Sequence, residues 1–484
     1  MEPDQVAEMD SRAISVAVVG HTNAGKTSMM RTLLRDAGFG QVAISPGTTR
    51  HVEGGSLLIQ GEVALKLYDT PGLEDSIGLL EAIENIDFEE GRRRLQLFLE
   101  QLPEDTEFDQ EAKVIRQLLE DDLIFYVIDC REPVLGKYRD ELKIIAMAAK
   151  PVIPVLNFIQ DDLSQVDAWK HSLADLGLHA VVEFDTVIFN FEDEKRLYQK
   201  MQALMASYHD LIQRLIDSRQ RQWNEQIRAA QRAIAELMVN VTAYRQGLPS
   251  KQASNEVRDS LETKESWENK DSFHRLIRRA EEQSIRTMLN IFGFDEKDVK
   301  NEDLPITNGK WELDLFDPVN LKEFGLDAGS NAAKGAAVGV GIDAMTGGLT
   351  LGAAAALGAA AGFVWTAGRR YRDEITSKFT GNQFICVDEN TLKVLWFRQV
   401  VLLKALEHRG HASESGINVA AVSDKKLPAN WKNWMHTARQ HPKWSSILTQ
   451  DEEFFTRERE KLVEDIVRSL GETGNVGDTV NADT

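Results

Sequence analysis

Lys26, Thr27 and Asp69 are the side chains of this chain best suited to hold a polyphosphate together with a divalent cation. Lys26 and Thr27 close the stretch Gly20-His21-Thr22-Asn23-Ala24-Gly25-Lys26-Thr27, which fits the spacing G-x-x-x-x-G-K-[ST]. A loop of this kind turns successive backbone N–H groups inward around phosphate, and the helix that follows adds positive partial charge. The lysine ammonium reaches the β- and γ-phosphates, while the threonine hydroxyl is a ligand for Mg²⁺. Gly20 and Gly25 allow the backbone angles and the close approach of phosphate. Asn23, Ala24 and Ser28 complete the expected nucleotide-binding set. The motif works only between a strand and a helix, and both are expected here. The apolar run at 14–19 reads as a buried strand, and 28–36 has helical spacing with Met29, Met30, Leu33 and Leu34 on the apolar side.

Further matches lie downstream. Residues 65–68 read as a strand leading into Asp69-Thr70-Pro71-Gly72, and Pro46-Gly47-Thr48-Thr49-Arg50 stands between the two motifs. With these the chain resembles the TrmE/Era-like GTPases, whose motifs read G-x-x-N-x-G-K-[ST], G-T-T-R and D-T-[AP]-G. The resemblance covers residue 14 to about residue 190 and implies binding and hydrolysis of GTP with Mg²⁺. It implies that Thr49 ligates Mg²⁺ when the γ-phosphate is present, and that Asp69 holds the metal through water. The Gly72 amide would sense the γ-phosphate, so Lys26, Thr49 and Gly72 form the expected catalytic set. Asn23 stands where the family carries an asparagine linked to K⁺.

Three departures accompany the resemblance. Leu73 occupies the position where Ras-like enzymes keep a water-orienting glutamine, so water must be placed by other means. The guanine-reading pattern N-K-x-D appears as Asn157-Phe158-Ile159-Gln160 after the strand at 152–156, keeping only the asparagine. Asp161 or Asp162 could replace the missing carboxylate by a one-residue shift. The last family motif, S-A-K, is not recognisable around Phe184-Asp185-Thr186.

The chain has 484 residues, enough for two or three domains. Its hydrophobic fraction of 42% and charged fraction of 27% are those of a globular protein. Lysine plus arginine total 56 against 77 acidic residues, a formal net charge of −21. That excess repels phosphate backbones, so no DNA partner is expected and RNA is disfavoured. Cys130 and Cys386 fit a reducing compartment. Met1-Glu2-Pro3-Asp4 has neither a basic nor an apolar leader pattern, and a cytoplasmic protein is expected.

The fold class expected is an α/β P-loop GTPase domain at 1–190, with a doubly wound and mostly parallel sheet, followed by a largely helical C-terminal half. Within the first domain, 79–120 is long, polar and helical in spacing. It reads either as an enlarged switch II surface that moves with the nucleotide or as a solvated insertion. Residues 140–149 read as the next crossover helix and 180–189 as the last strand. Residues 191–303 read as a helical stalk or bundle. Apolar positions from Leu197 to Tyr244 step by fours and threes, a seam that could pair two copies. If continuous, that helix spans roughly 80 Å at about 1.5 Å per residue. A second helix is expected over 254–292.

Residues 304–471 form a third region. Its Ala/Gly-rich part, 328–367, carries small-xxx-small spacings and reads as a helical hairpin turning near Asp343. Residues 349–367 lack charge and are long enough to span a bilayer, yet alanine and glycine are barely apolar. Both a hairpin packed in a soluble domain and one seated at the cytoplasmic membrane, peripherally or integrally, fit this composition. A strand is expected at 383–387 and a helix at 391–408. Trp431, Trp434 and Trp444, near Lys432, Arg439 and Lys443, could be core residues or could stack against nucleic acid or a membrane interface. The tail, 472–484, is polar and expected to be disordered. The expected function is that of a GTP-hydrolysing, nucleotide-dependent switch. The alternatives are an Era-like GTPase of ribosome or RNA assembly and a nucleotide-binding scaffold with negligible turnover.

Overall fold

Apolar runs at the first and fourth strands feed two cores at once, one on each face of a sheet. In a computed structural model, β1 (Ile14–Val19) places Ile14, Val16 and Val18 in one core and Ala17 and Val19 in the other. β4 (Leu123–Asp129) does the same, with Leu123, Phe125 and Val127 opposed to Ile124, Tyr126 and Ile128. A strand covered on both faces has no polar side to show, hence the unbroken apolar sequence. The structure describes residues 12–36, 53–103, 108–186, 188–247, 258–294, 306–307, 310–311, 314–316, 341–343, 384–408, 427–448 and 456–474.

The described chain divides into two compact units, Met1–Glu225 with Glu407–Ser415, and Gln226–Leu406 with Gly416–Thr484. In the first, six strands run in the order β2-β3-β1-β4-β5-β6. Here β2 is Glu53–Ile59, β3 Glu62–Asp69, β5 Val152–Asn157 and β6 Val182–Glu183. All neighbours pair in parallel except β2 and β3, which form an antiparallel hairpin. β2 was not expected from the sequence. Its signal is the two-residue turn at Gln60 and Gly61, both at positive φ (52° and 89°), as tight hairpins require. The expected last strand at 180–189 shrinks to the two residues of β6.

One face of the sheet carries α1 (Lys26–Leu34), whose Met29, Met30 and Leu33 enter the core. The same core takes Leu197, Tyr198 and Met201 of α7 (Phe191–Leu204) and Ile212, Leu215 and Ile216 of α8 (His209–Ala243). Residues 191–225, the start of the stretch expected as a helical stalk or bundle, group with the first unit. The expected continuous helix is also interrupted. Met205, at φ −122° and ψ 66°, ends α7, and a single 3₁₀ turn over Ala206–Tyr208 precedes α8. The 35 residues of α8 span about 52 Å rather than 80 Å.

On the other face pack α2 (Ser76–Glu84), α3 (Gly91–Gln101), α4 (Asp109–Glu120), α5 (Gly136–Met147) and α6 (Val166–Asp175). The long stretch before β4 is thus three helices. Leu79, Leu80, Ile83, Leu95, Phe98, Val114, Ile115 and Leu118 are buried in this second core, so the stretch is packed structure and not merely solvated decoration.

A buried ionic knot ties α1 to α7 and α8. Glu194 is fully buried and accepts Arg219 Nε at 2.6 Å and the Tyr198 hydroxyl at 2.9 Å, with Arg35 at 3.5 Å. Burial raises the Glu194 pKa, but the two arginines outweigh it and hold the carboxyl below its usual value. Arg219 Nη2 also donates to the Leu33 carbonyl at 2.8 Å, satisfying the C-terminal end of the phosphate-loop helix.

The second unit contains α9 (Arg258–Phe292), α10 (Glu389–Glu407), α11 (Trp431–Gln440), α12 (Arg457–Gly474) and the later part of α8. Trp431, Trp434 and Trp444 are all buried, as is Arg439, which donates to Cys386 Sγ at 3.1 Å. These tryptophans are core residues and no stacking platform. Asp343, expected at the turn of a helical hairpin, instead ends a strand, β7 (Gly341–Asp343), antiparallel to β8 (Phe384–Cys386). The rest of 328–367 lies outside the described residues. No described helix is long and apolar enough to cross a membrane. The expected disordered tail begins as helix, since α12 runs to Gly474; 475–484 lie outside the described residues.

Candidate nucleotide site

α1 starts at Lys26, with Gly25 before it at φ 96°. A Cβ on Gly25 would come within 2.2 Å of Asn157 Nδ2, so both backbone angle and space demand glycine there. Lys26 is buried and its Nζ donates to two carbonyls of its own loop, Gly20 O at 3.1 Å and His21 O at 2.9 Å. Burial lowers its pKa, while Asp69, Glu141 and Glu74 act in the opposite direction. Ala24 is buried, Ser28 partly so, and Asn23 is exposed at φ 65°. Among the described residues the Asn23 side chain has no hydrogen-bond partner.

The pairing of β1 with β3 brings the second motif to the first. Thr27 Oγ1 donates to Asp69 Oδ2 at 2.5 Å. Asp69 ends β3 almost fully buried, and its carboxyl is pushed up to about 6, mainly by burial, with Thr27 and Lys26 pulling it down. Its other oxygen, Oδ1, is buried without a hydrogen-bond partner. A buried carboxylate oxygen left unpaired is costly. Beside a threonine hydroxyl it suits a hard cation with oxygen ligands, so Thr27 and Asp69 fit Mg²⁺. The segment after β3 also touches the loop. A Cβ on Gly72 would meet Thr22 Oγ1 at 2.3 Å, so only glycine lets the two backbones approach. Leu73 is fully buried and its amide donates to Gly20 O at 3.4 Å, so its side chain orients nothing in the site. Thr49 lies outside the described residues.

The structure also brings Asn157 to the phosphate loop. Fully buried at the end of β5, it donates Nδ2 to the Ala24 carbonyl at 3.0 Å. Its Oδ1 accepts the Phe158 amide at 2.9 Å and both the amide and the hydroxyl of Thr186 at 3.0 Å. Thr186 was missed from the sequence because its stretch lacks the S-A-K pattern. The usable signal was a hydroxyl residue just past the last strand. Asp185 accepts the Gln160 amide at 3.4 Å and the Ile188 amide at 3.2 Å, tying the two base-side loops together.

A second polar group escaped sequence reasoning. Glu141 on α5 is fully buried and accepts the Tyr126 hydroxyl and His21 Nδ1, each at 2.8 Å. With Nδ1–H committed to the carboxylate, His21 Nε2 is the acceptor for Lys137 Nζ at 2.9 Å. The cluster borders an open cavity of about 370 Å³, lined also by Asn23, Glu74, Asp129 and Glu132.

Comparison with known proteins agrees with this geometry. The profile of the family described as "50S ribosome-binding GTPase" matches residues 15–158, and that described as "Domain of unknown function (DUF3482)" matches residues 170–468. The tRNA modification GTPase MnmE of Mycoplasmoides gallisepticum is 38% identical over 76 residues, 15% of this chain and 16% of that protein. The MnmE of Syntrophomonas wolfei is 34% identical over 114 residues, 24% of each chain. The chain thus spans less than a quarter of the length of these curated relatives. Among solved structures, Era in complex with MgGDPNP and a 16S ribosomal RNA fragment is 20% identical over 36% of this chain and 51% of its own, at a TM-score of 0.27. The G domain of the T. maritima FeoB iron transporter is 23% identical over 36% of this chain and 89% of its own, at a TM-score of 0.22. The phosphate loop between β1 and α1, the Thr27–Asp69 pair and the match over more than half of the chain converge: this chain is a member of the DUF3482 family, and in it that C-terminal region follows a TrmE/Era-like, GTP-binding P-loop GTPase domain.

Proposed function

We propose that the protein binds GTP with Mg²⁺ in the loop Gly20–Thr27, hydrolyses the β–γ phosphoanhydride, and works as a nucleotide-dependent switch. The observation that carries this reading is the assembly of Lys26, Thr27 and Asp69 in one place, with Asp69 Oδ1 buried and unpaired. Mg²⁺, held by Thr27 and through water by Asp69, would neutralise charge developing on the transferred phosphoryl oxygens. Lys26 exchanges its two loop carbonyls for phosphate oxygens and adds its own charge there. Thr49 joins the metal when the γ-phosphate is present, and the amide of Gly72, where a Cβ would clash with Thr22, reports that phosphate to α2. Switching then consists of ordering or releasing 40–51 and the helices after Gly72.

Leu73 is buried, so water is placed by another group. K⁺ beside Asn23, whose exposed side chain stands in the fourth place of the loop, would compensate by offsetting charge that develops on the β- and γ-phosphates. The C-terminal half would carry the output, through a homodimer along the helical region or a membrane surface met by 328–367 at the cytoplasmic membrane. The likeness of residues 15–158 to the family described as "50S ribosome-binding GTPase" supports a second reading, an Era-like role in ribosome or RNA assembly, against which the net charge of −21 weighs. Calorimetry with GTP tests the core of the proposal. Lys26→Ala should abolish measurable affinity, and Thr27→Ala should make binding insensitive to Mg²⁺. GTP affinity unchanged in Lys26→Ala would remove the phosphate-loop assignment.

A further inference from the structure

Phe158 stands where the resemblance leads one to expect a lysine. Its backbone is left-handed, φ 55°, and Asn157 Oδ1 pins its amide at 2.9 Å. The ring tip Cζ lies 3.5 Å from the place that a Cβ on Gly25 would occupy, so the ring rests against the shoulder of the phosphate loop. Onto this ring Arg131 lays its guanidinium, with Cζ 3.8 Å from the ring centroid. The cation is aimed by Asp129, which accepts Nε at 2.9 Å and Nη2 at 2.7 Å and also takes the Arg131 amide at 3.0 Å. A guanidinium both stacked and held by a bidentate carboxylate is fixed in plane and direction.

The pair stands on the side of the site where a nucleoside must lie. Asp129 and Asn157 are register partners at the C-terminal ends of β4 and β5. Ligands of doubly wound sheets bind over those ends, and phosphates seated at the start of α1 leave the nucleoside to extend across them. Phe158, Arg131 and Thr186 are there, each just past the end of its strand. The fork with Asp129 uses Nε and Nη2, which leaves the Nη1 edge of a side chain 38% exposed to solvent for a ligand.

We propose that Arg131, set on Phe158 and steered by Asp129, binds the ribose–base half of a purine nucleoside triphosphate and replaces the cation missing from the base loop. This rests on the reading of Gly20–Thr27 as the phosphate site. Ribose hydroxyls and purine ring nitrogens accept from a guanidinium edge, and guanine and adenine share both. Arg131 therefore contributes affinity without discriminating between them, in keeping with Gln160 in place of the base-reading carboxylate.

The test is competition against a fluorescent GTP analogue on the full chain, using GTP, ATP and inorganic tripolyphosphate. Arg131→Ala should weaken GTP and ATP each by roughly tenfold, about 1.4 kcal/mol, and leave tripolyphosphate unchanged. Adding Phe158→Lys to Arg131→Ala returns a cation to the base loop and should restore most of the lost GTP affinity. Thermal unfolding midpoints of the variants, matched to the unmodified protein, exclude a folding defect. Unchanged GTP affinity in Arg131→Ala, or an equal loss for tripolyphosphate, would overturn the proposal. Failure of tripolyphosphate to compete even with the unmodified protein would instead overturn the phosphate-loop reading, and this inference with it.

Discussion

Asn157 Nδ2 donates to the Ala24 carbonyl at 3.0 Å, while Asn157 Oδ1 takes three further hydrogen bonds from Phe158 and Thr186. One buried amide thereby joins the phosphate loop to the loops after β5 and β6, and the phosphate and base ends of the site cannot move independently. Asn157→Ala leaves the Thr186 amide and the Ala24 carbonyl unpaired in the interior. Each such group costs about 1–3 kcal/mol, so unfolding should become easier by about 2–6 kcal/mol and GTP affinity should fall together with ATP affinity. Denaturant midpoints and competition binding measure the two effects. A variant as stable as the original would show that water replaces the amide at no cost.

Gln160 stands in the base loop without a carboxylate, and its backbone N–H donates to Asp185. The expectation is that GTP is preferred over ATP by a small margin only. Gln160→Asp should widen that margin, by roughly tenfold if the new carboxylate gains one charged hydrogen-bond pair worth about 1.5 kcal/mol. ATP displacing a labelled GTP analogue as well as GTP does, before and after the substitution, would show that position 160 does not read the base.

Asn23 combines an exposed side chain, a left-handed backbone and the fourth position of the loop. Turnover in K⁺ should exceed turnover in Na⁺ at matched ionic strength, and Asn23→Ala should erase the difference while leaving Mg²⁺-dependent nucleotide binding intact. Steady-state phosphate release in the two salts decides it. Equal rates for the unmodified protein would dispose of the K⁺ role and shift the placement of water to a partner or to α2.

Glu281 in the second unit is almost fully buried, and burial pushes its carboxyl up to about 7 even though Arg398, 3.4 Å away, pulls it down. The folded state then holds its proton more tightly than the unfolded chain does. This stability is fully present below the ordinary carboxylate pKa and is lost as pH rises through about 7. The unfolding midpoint should fall between pH 5 and pH 8, and Glu281→Gln should flatten that slope. A slope identical in the variant would place the titration elsewhere.

The chemistry of Gly20–Thr27 was legible without coordinates because it depends on local order. A strand, a tight loop and a helix N-terminus follow one another along the chain, and their residues must sit at set spacings. Strands β1, β4 and β5 were legible for a related reason, since burial on both faces leaves unbroken apolar runs. The C-terminal tryptophans, the hairpin expected near Asp343 and the continuous helix from Leu197 were not decidable this way. A buried tryptophan and an interfacial one share a sequence, and a single residue such as Met205 can break a helix whose periodicity runs on. Tertiary structure alone decided that Thr27 meets Asp69, that Asn157 spans three loops and that Arg131 lies on Phe158. These contacts join residues far apart in the chain, and only the stacking of parallel strands brings their C-terminal ends together.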